Sequence, residues 1–209
     1  MTELDRRALL TGAGASLALA CCGRSRAGSA PAPLPASAKA ATLIAAARRQ
    51  VGVTVRYDAA YTRLPFPGGD VPRVRGVCTD VVIRAYRDAF GLDLQALVHA
   101  DIAAAFGAYP HLWGLAAPDA NIDHRRVPNF ATWLKRHGAA LPIPAAASGW
   151  RPGDIFTSRI GPHGTHIGIV SDRRGPKGPF ILHNIGAGTR EEDALLDWPI
   201  TGRYRWALG

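Results

Sequence analysis

Residues 166–185 read HIGIVSDRRGPKGPFILHNI, and this stretch decides the class of the fold. Two runs of aliphatic and aromatic residues flank a segment rich in Gly, Pro and Arg, which is the pattern of a β-hairpin. We pair the two strands so that His166 lies directly opposite His183 and the turn centres on Arg174 and Gly175. Because directly opposite residues share one face of a sheet, this register predicts that the two histidine side chains are adjacent.

The rest of the chain separates into a helical part and a strand part. Before Gly138, apolar residues recur at helical spacing, and helices are predicted over about residues 38–50, 78–90, 94–106 and 130–137. After Gly138, short strands are predicted over residues 154–157, 166–171, 180–185 and 203–206. Helices followed by strands predict an α+β fold in which N-terminal helices pack on an antiparallel β-sheet.

The composition limits the kinds of protein and partner. The 209 residues are 47% hydrophobic and 20% charged, which excludes a disordered chain. Lys and Arg number 25 against 16 Asp and Glu, and the net charge of +9 favours acidic partners such as nucleic acid, anionic lipid or cell-wall polymers. Because the charge comes with an export signal and no recognised nucleic-acid-binding motif, we expect no binding to nucleic acid.

The first residues have the layout of an export signal, which we assign to residues 1–22. Arg6 and Arg7 precede a short apolar stretch, and this adjacent pair resembles a twin-arginine signal. The small residues before Cys21 fit two alternatives, an ordinary cleavage site or a degenerate lipoprotein box in which Cys21 is lipidated. Both predict a protein of the periplasm or cell envelope, and the second adds a lipid anchor in a membrane.

Downstream of the signal, residues 23–37 are rich in Ala, Pro, Ser and Gly and are predicted to be a flexible tether. The folded body then occupies residues 38–209, and Cys78 is its single cysteine. Since this thiol has no partner for an internal disulfide, it is either a buried structural group or a reactive one.

Cys78 lies at the predicted start of a helix. Unpaired backbone N–H groups and the helix dipole at such a position stabilise a thiolate, so we expect the pKa of Cys78 to be lowered. One hairpin histidine is then suited to act as the base for the thiol and the other to orient that base. A zinc site that adds His163 to these groups is disfavoured, because strand residues three apart point to opposite faces, and no metal is predicted.

Residues 119–126 form a polar block with no clear periodicity. Its members Asp123, His124, Arg125 and Arg126 are candidate substrate-binding residues, because loops carry binding groups more often than the framework does. In one interpretation, an arginine is free to hold a substrate carboxylate through the two hydrogen bonds of its planar fork. In the other, Asp123 and an arginine form an internal ion pair that fixes the loop.

Several blocks of the sequence resemble known families. The order of a helix-start cysteine, residues 152–155, residues 166–169 and a polar residue on the next strand resembles the NlpC-type papain-like cysteine peptidases. More closely, four blocks resemble the bacterial family catalogued as domain of unknown function 1287, namely residues 69–72, 76–82, 121–126 and 183–186. The resemblance covers about residues 40–209. This sequence departs from the peptidases at Thr79 and Asp80, where they carry Ser and Gly.

The resemblance implies a papain-like (NlpC-type) fold and hydrolysis of peptide or amide bonds in peptidoglycan stem peptides. It matches Cys78 to the nucleophile, His166 to the base and His183 to the third member of the site. It also matches Tyr57 or Tyr61 to a tyrosine that assists the oxyanion. No cofactor is implied, and the partner is peptidoglycan or its muropeptides. The alternatives are a non-catalytic wall-binding or envelope-assembly lipoprotein and a thiol acyltransferase that uses the same groups.

Overall fold

The structure is a computed structural model that describes residues 34–208. The predicted export signal with its lipidation residue Cys21, and residues 23–33 of the predicted tether, lie outside the described residues. The helices are α1 Ala38–Arg48, α2 Cys78–Phe90, α3 Leu94–Ala104 and α4 Val127–Arg136, with short 3₁₀ helices at Phe106–Ala108, Asp123–Arg125 and Ala147–Gly149. Within residues 34–208, none of these helices is long and apolar enough to cross a membrane.

The helices begin and end where short-range interactions predict. At the start of α1 the hydroxyl of Ser37 accepts the N–H of Ala40 at 3.2 Å, and at the start of α3 the carboxylate of Asp93 accepts the N–H of Gln95 at 3.1 Å. Gly91 ends α2 in the left-handed conformation, which a residue without a Cβ adopts at little cost. Helix α4 begins three residues earlier than predicted, because the proline in its first turn is compatible with a helix start.

The predicted α+β class with an antiparallel sheet is confirmed. The strands of the described residues are β1 Arg56–Tyr57, β2 Arg75–Gly76, β3 Ala140–Leu141, β4 Ile155–Ile160, β5 Gly164–Arg174, β6 Pro179–Asn184, β7 Thr189–Glu192 and β8 Ile200–Tyr204. Six of them form one antiparallel sheet in the order β3-β8-β4-β5-β6-β7, and β1 and β2 form a separate parallel pair. The sequence analysis missed β1, β2, β3 and β7, because the first three have two residues each and β7 reads Thr-Arg-Glu-Glu, without apolar alternation.

The β5–β6 hairpin is confirmed, but the predicted register is wrong by two residues. Ile169 pairs with Leu182, which sets His183 opposite Gly168 and not opposite His166. The turn falls later than predicted, at the Gly-Pro-Lys-Gly segment, whose sequence permits several registers. Because a displacement of two residues is even, both histidines keep the predicted common face of the sheet.

The two faces of the sheet are buried by different elements. On one face, Ile167, Ile169 and Leu182 pack against α1, α2 and α4. On the other face, a smaller apolar cluster forms around Phe156 and includes the partly buried Trp198. Burial of each such side chain contributes roughly 1.5–3 kcal/mol. The central strands β4, β5 and β6 are therefore covered on both sides, so a histidine on either face is withdrawn from water.

Candidate active site

Cys78 is the first residue of α2 and lies where that helix meets the sheet, with 4% of its surface exposed. Its sulfur lies within hydrogen-bond reach of the backbone N–H of Ile167, the residue that follows His166 on β5. The start of α2 is stabilised by Asp80, whose carboxylate accepts the N–H of Val77 at 2.7 Å. The structure thus brings the thiol to the strand position next to the first predicted histidine.

The prediction that the helix start lowers the pKa of Cys78 is wrong. Burial raises this pKa to about 11, and the negative charge of Asp80 also acts to raise it. The backbone N–H groups of Ile167, Thr79 and Cys78 act in the opposite direction. They do not outweigh the loss of water around the sulfur, which disfavours the charged form. At neutral pH the resting group is therefore a thiol.

Tyr57 and Tyr61 were equivalent candidates in the sequence, and the structure separates them. Burial, followed by the charges of Cys78 and Asp80, raises the pKa of Tyr57 to about 12, so its hydroxyl lies beside the thiol. The hydroxyl of Tyr61 instead donates to Asp119 at 3.0 Å and accepts from an amide N–H at the same distance. Tyr57 is therefore the tyrosine that can contact a group bound at Cys78.

The two histidines form a hydrogen-bonded pair. Nε2 of His166 lies 2.9 Å from Nδ1 of His183, and both rings are buried. Gly168 lies between them, where an added Cβ would come within 2.7 Å of Phe156 and 3.0 Å of the Cβ of His183. Its missing side chain leaves the space in which His183 reaches diagonally to His166. A glycine inside a strand signals such a close approach, and this signal was available in the sequence.

The environment of the pair keeps both rings neutral. Burial, and secondarily the charge of His183, lowers the pKa of His166 to about 3, and burial also lowers the pKa of His183. The indole of Trp198 contacts both rings at an angle, with ring centres 6.0 and 6.2 Å away. Two neutral imidazoles that share one hydrogen bond need one donor and one acceptor.

Glu192 selects the tautomer of His183. Its carboxylate lies 3.6 Å from Nε2 of His183, which has no hydrogen-bond partner in the described part of the chain. The negative charge favours the tautomer of His183 that carries its proton on Nε2. Nδ1 of His183 is then the acceptor, and Nε2–H of His166 donates to it. His166 then has a free lone pair on Nδ1, as a base requires. The sequence analysis missed Glu192 and Trp198, because neither lies in a predicted element.

Within residues 34–208, no hydrogen bond joins Cys78 to either histidine ring. Side chains alternate along a strand, so Ile167 faces Cys78 and the helices, whereas His166 and His183 face Phe156 and Trp198 on the other side of the sheet. The structure therefore brings the thiol and the hydroxyl of Tyr57 together, and the two histidines together, but it does not bring the histidine rings to the thiol.

Thr79 and Asp80, where the sequence departs from the peptidase pattern, hold the polar block of residues 119–126. The hydroxyl of Thr79 donates to the carbonyl oxygen of Arg125 at 3.0 Å. The guanidinium of Arg125 binds the carboxylate of Asp80 through bonds of 3.0 and 3.1 Å, and both side chains are 5% exposed or less. The departure therefore has a structural role, since it connects the helix start to this block.

The structure corrects the prediction that Asp123, His124 and Arg125 contact substrate. Asp123 accepts the N–H of Asp119 at 2.7 Å and lies 3.3 Å from a ring nitrogen of His99. His124 is buried, and this burial lowers its pKa to about 3. The predicted internal ion pair of the block is present, but its carboxylate comes from Asp80 and not from Asp123. All three side chains are turned inward because their polar groups have partners there or are enclosed.

Arg126 has the opposite environment to Arg125. Its guanidinium stacks on Trp113, 4.1 Å from the ring centre, and it forms no ion pair within the described residues. Both residues line a cleft of about 400 Å³ that also contains Cys78, Tyr57 and Tyr61. Of the four predicted residues in the polar block, Arg126 is the one that lines this cleft without an ion pair among the described residues, so its guanidinium is free to meet a substrate.

In the part of the chain that the structure describes, no group of three or more His, Cys, Asp or Glu side chains is arranged to hold a metal ion. His163 is exposed, in the loop between β4 and β5, whereas His166 is buried in the sheet. The thiol cleft therefore contains Cys78, Tyr57 and Arg126, and the histidine pair lies on the opposite face of the sheet.

Comparison with known proteins connects this site to a family. The family described as Domain of unknown function (DUF1287) matches residues 44–206, which confirms the predicted resemblance. Uncharacterized protein YijF of Escherichia coli (strain K12) is 52% identical over 161 residues, which cover 77% of this chain and 78% of that protein. The solved structure of NlpC1 from Trichomonas vaginalis has a TM-score of 0.42 and 12% identity, over 82% of this chain and 45% of that one.

Proposed function

This chain belongs to the DUF1287 family, and we propose that it is an exported thiol hydrolase that cleaves peptide or amide bonds of peptidoglycan stem peptides. One observation carries the proposal. The cleft holds a helix-start thiol whose sulfur meets the strand next to His166, and His166 is hydrogen-bonded to His183. The fold we propose is papain-like (NlpC-type), because a helix that starts with the cysteine packs on the antiparallel strands that carry the two histidines.

In the proposed reaction, the sulfur of Cys78 attacks the amide carbonyl and Nδ1 of His166 takes the thiol proton, which requires the His166 ring to leave the Phe156 face of the sheet and approach the thiol. An S–C bond forms, the C–N bond breaks, and His166 returns the proton to the leaving amine. Water then hydrolyses the thioester and regenerates the thiol. His183 holds His166 in the required tautomer, as the third member of a triad does. The backbone N–H of Cys78 and the hydroxyl of Tyr57 are the proposed donors to the oxyanion.

The proposed location is the periplasm or the cell envelope. It rests on the signal-like residues 1–22 and on Cys21 as a lipidation residue, both identified from the sequence. A test replaces Arg6 and Arg7 by Lys and follows the precursor inside the cell. If Cys21 is acylated, the mature protein partitions into detergent and Cys21→Ala releases it.

A second candidate function is a non-catalytic protein that binds the cell wall through the same cleft. The burial of Cys78 and its pKa of about 11 favour this candidate, because a protonated and enclosed thiol is a poor nucleophile. A thiol acyltransferase uses the same groups as the hydrolase and differs only in the acceptor of the acyl group.

The deciding experiment incubates the full chain with muropeptides and identifies the products by mass. The proposal predicts products with wild type and none with Cys78→Ala, while Cys22→Ser, which removes a thiol before the folded body, keeps wild-type turnover. A new mass that contains an added amine instead of water identifies the acyltransferase. Binding of muropeptides by both wild type and Cys78→Ala, without products, identifies the wall-binding protein.

A further inference from the structure

The thiol cleft continues into a second cavity of about 810 Å³. The two cavities share the side chains of Trp113, Val127, Pro128 and Thr165, so they form one groove that we call the extended groove. Cys78 lies in the first cavity, and the second leads away from it past α4 and the end of β4. A substrate whose reacting bond lies at the thiol can therefore place further residues in the second cavity.

The unpaired charges of the extended groove are all positive. Arg126 lines the first cavity, and Lys135 and Arg159 line the second. None of the three forms an ion pair within residues 34–208, and no Asp or Glu lines either cavity. Many other basic residues have carboxylate partners, as when Arg48 binds Glu191 at 2.7 Å, although some, such as Arg49 and Arg174, have none within the described residues. The extended groove thus contains three cationic side chains that have no carboxylate partner among the described residues.

We propose that the extended groove binds an acidic peptide, with one carboxylate at Arg126 and a second at Lys135 and Arg159. This inference rests on the proposed function and specifies its substrate class. The stacking of Arg126 on Trp113 holds the guanidinium plane in place, and such a fork meets a carboxylate through two hydrogen bonds.

The walls of the groove fit a peptide. Several of its lining residues are apolar or aromatic and sit beside the cationic ones, namely Pro110, Leu112, Trp113, Val127, Pro128 and Ala131. Such walls can cover the aliphatic parts of a peptide while the cations bind its carboxylates. The charges are exposed to solvent at Lys135 and Arg159, so salt will weaken their contribution.

The test measures binding apart from turnover. The full chain carrying Cys78→Ala is titrated calorimetrically with a synthetic stem peptide that has free carboxylates, and with the same peptide after amidation of those carboxylates. We expect the free acid to bind at least tenfold more tightly at low ionic strength, which is about 1.4 kcal/mol. The difference shrinks as salt is added, and it is reduced when Lys135→Ala and Arg159→Ala are combined, with the remainder due to Arg126.

Two control variants separate this groove from the general positive charge of the protein. Lys177→Ala removes an exposed lysine from the β5–β6 turn and leaves the tenfold preference intact, and Lys135→Arg retains it. Equal affinity for the two peptides overturns the inference. So does a loss of preference of the same size in Lys177→Ala.

The outcome for this inference is independent of the outcome for hydrolysis. If wild type cleaves both peptides with equal efficiency and binds them equally, the acidic-peptide inference fails and the hydrolase stands. If the free acid binds more tightly through Lys135 and Arg159 but wild type releases no product, the hydrolase fails and the inference stands.

Discussion

Arg125 and Arg126 are neighbours in the sequence, yet they belong to two regions with opposite electrostatic states. Arg125 is part of a buried charge cluster, in which Arg125 binds Asp80 and Arg84 binds Asp70. Both guanidinium groups of this cluster are 2% exposed or less. Both arginines line the thiol cleft, but Arg126, like Lys135 and Arg159 of the extended groove, has no carboxylate partner among the described residues.

The difference between Arg125 and Arg126 shows that burial and ion pairing decide whether an arginine is structural or is available to a ligand. A buried charge costs free energy unless it is paired and hydrogen-bonded, so the arginines of the cluster are committed to the framework. A charge in an open groove is solvated and needs no internal partner, so it can exchange water for a ligand.

The largest effect is expected when the buried charge cluster loses a carboxylate. Asp80→Asn leaves the guanidinium of Arg125 buried without its counter-charge, which typically costs 3–5 kcal/mol of unfolding free energy. Urea unfolding at pH 7 measures the loss. The matched control is Asp88→Asn, whose partner Arg73 has a side chain 44% exposed, so we expect a change of about 1 kcal/mol or less. Equal effects of the two variants would remove the distinction between buried and open charges.

A smaller effect on the unfolding free energy is expected from the ionisation of Cys78. The folded pKa of Cys78, about 11, lies above its unfolded value of 9.0, so the folded state keeps a proton that the unfolded state releases between these pH values. Stability that the thiol contributes is complete below pH 9 and is lost as the pH rises towards 11, by about 1.4 kcal/mol per pH unit. The measurement is the difference in unfolding free energy between wild type and Cys78→Ala across this range.

Alkylation checks the same thiol directly. Iodoacetamide modification of the tryptic peptide of residues 76–84, which contains Cys78 and no other cysteine, should have its midpoint near pH 11. Asp80→Asn should lower this midpoint, because the charge of Asp80 helps to raise the pKa. A midpoint at or below about 8.5, the value of a free cysteine, would show that the helix start outweighs burial.

The smallest effect on stability separates the two adjacent arginines. Arg125→Lys loses bonds to Asp80 and to two backbone carbonyl oxygens that a lysine cannot reproduce together, so we expect a loss of about 1–2 kcal/mol and a melting temperature lower by several degrees. Arg126→Lys should leave the melting temperature unchanged and weaken binding of the acidic stem peptide. If Arg126→Lys lowered the melting temperature and Arg125→Lys did not, Arg126 and not Arg125 would be the residue that stabilises the framework.

Local sequence signals predicted the four α-helices and four of the eight strands of the described residues, and they predicted that the two hairpin histidines share a face. Ser37, Asp93 and Gly91 mark helix ends through short-range hydrogen bonds and backbone freedom, so their positions were predictable. The common face of His166 and His183 was also predictable, because side chains alternate along a strand and the register error was even. The register itself was not, since the turn sequence is compatible with more than one pairing.

The α+β class, the helix start at Cys78 and the common face of the two histidines could be predicted without a structure. They follow from the spacing of residues within helices and strands and from the order of these elements along the chain. The pairing of Asp80 with Arg125, 45 positions later, and the enclosure of Cys78 became apparent in the folded protein. Ion pairing and desolvation depend on atoms from distant segments, and neither leaves a periodic pattern in the chain. The same folded arrangement turned Arg125 inward and left Arg126 open to a ligand.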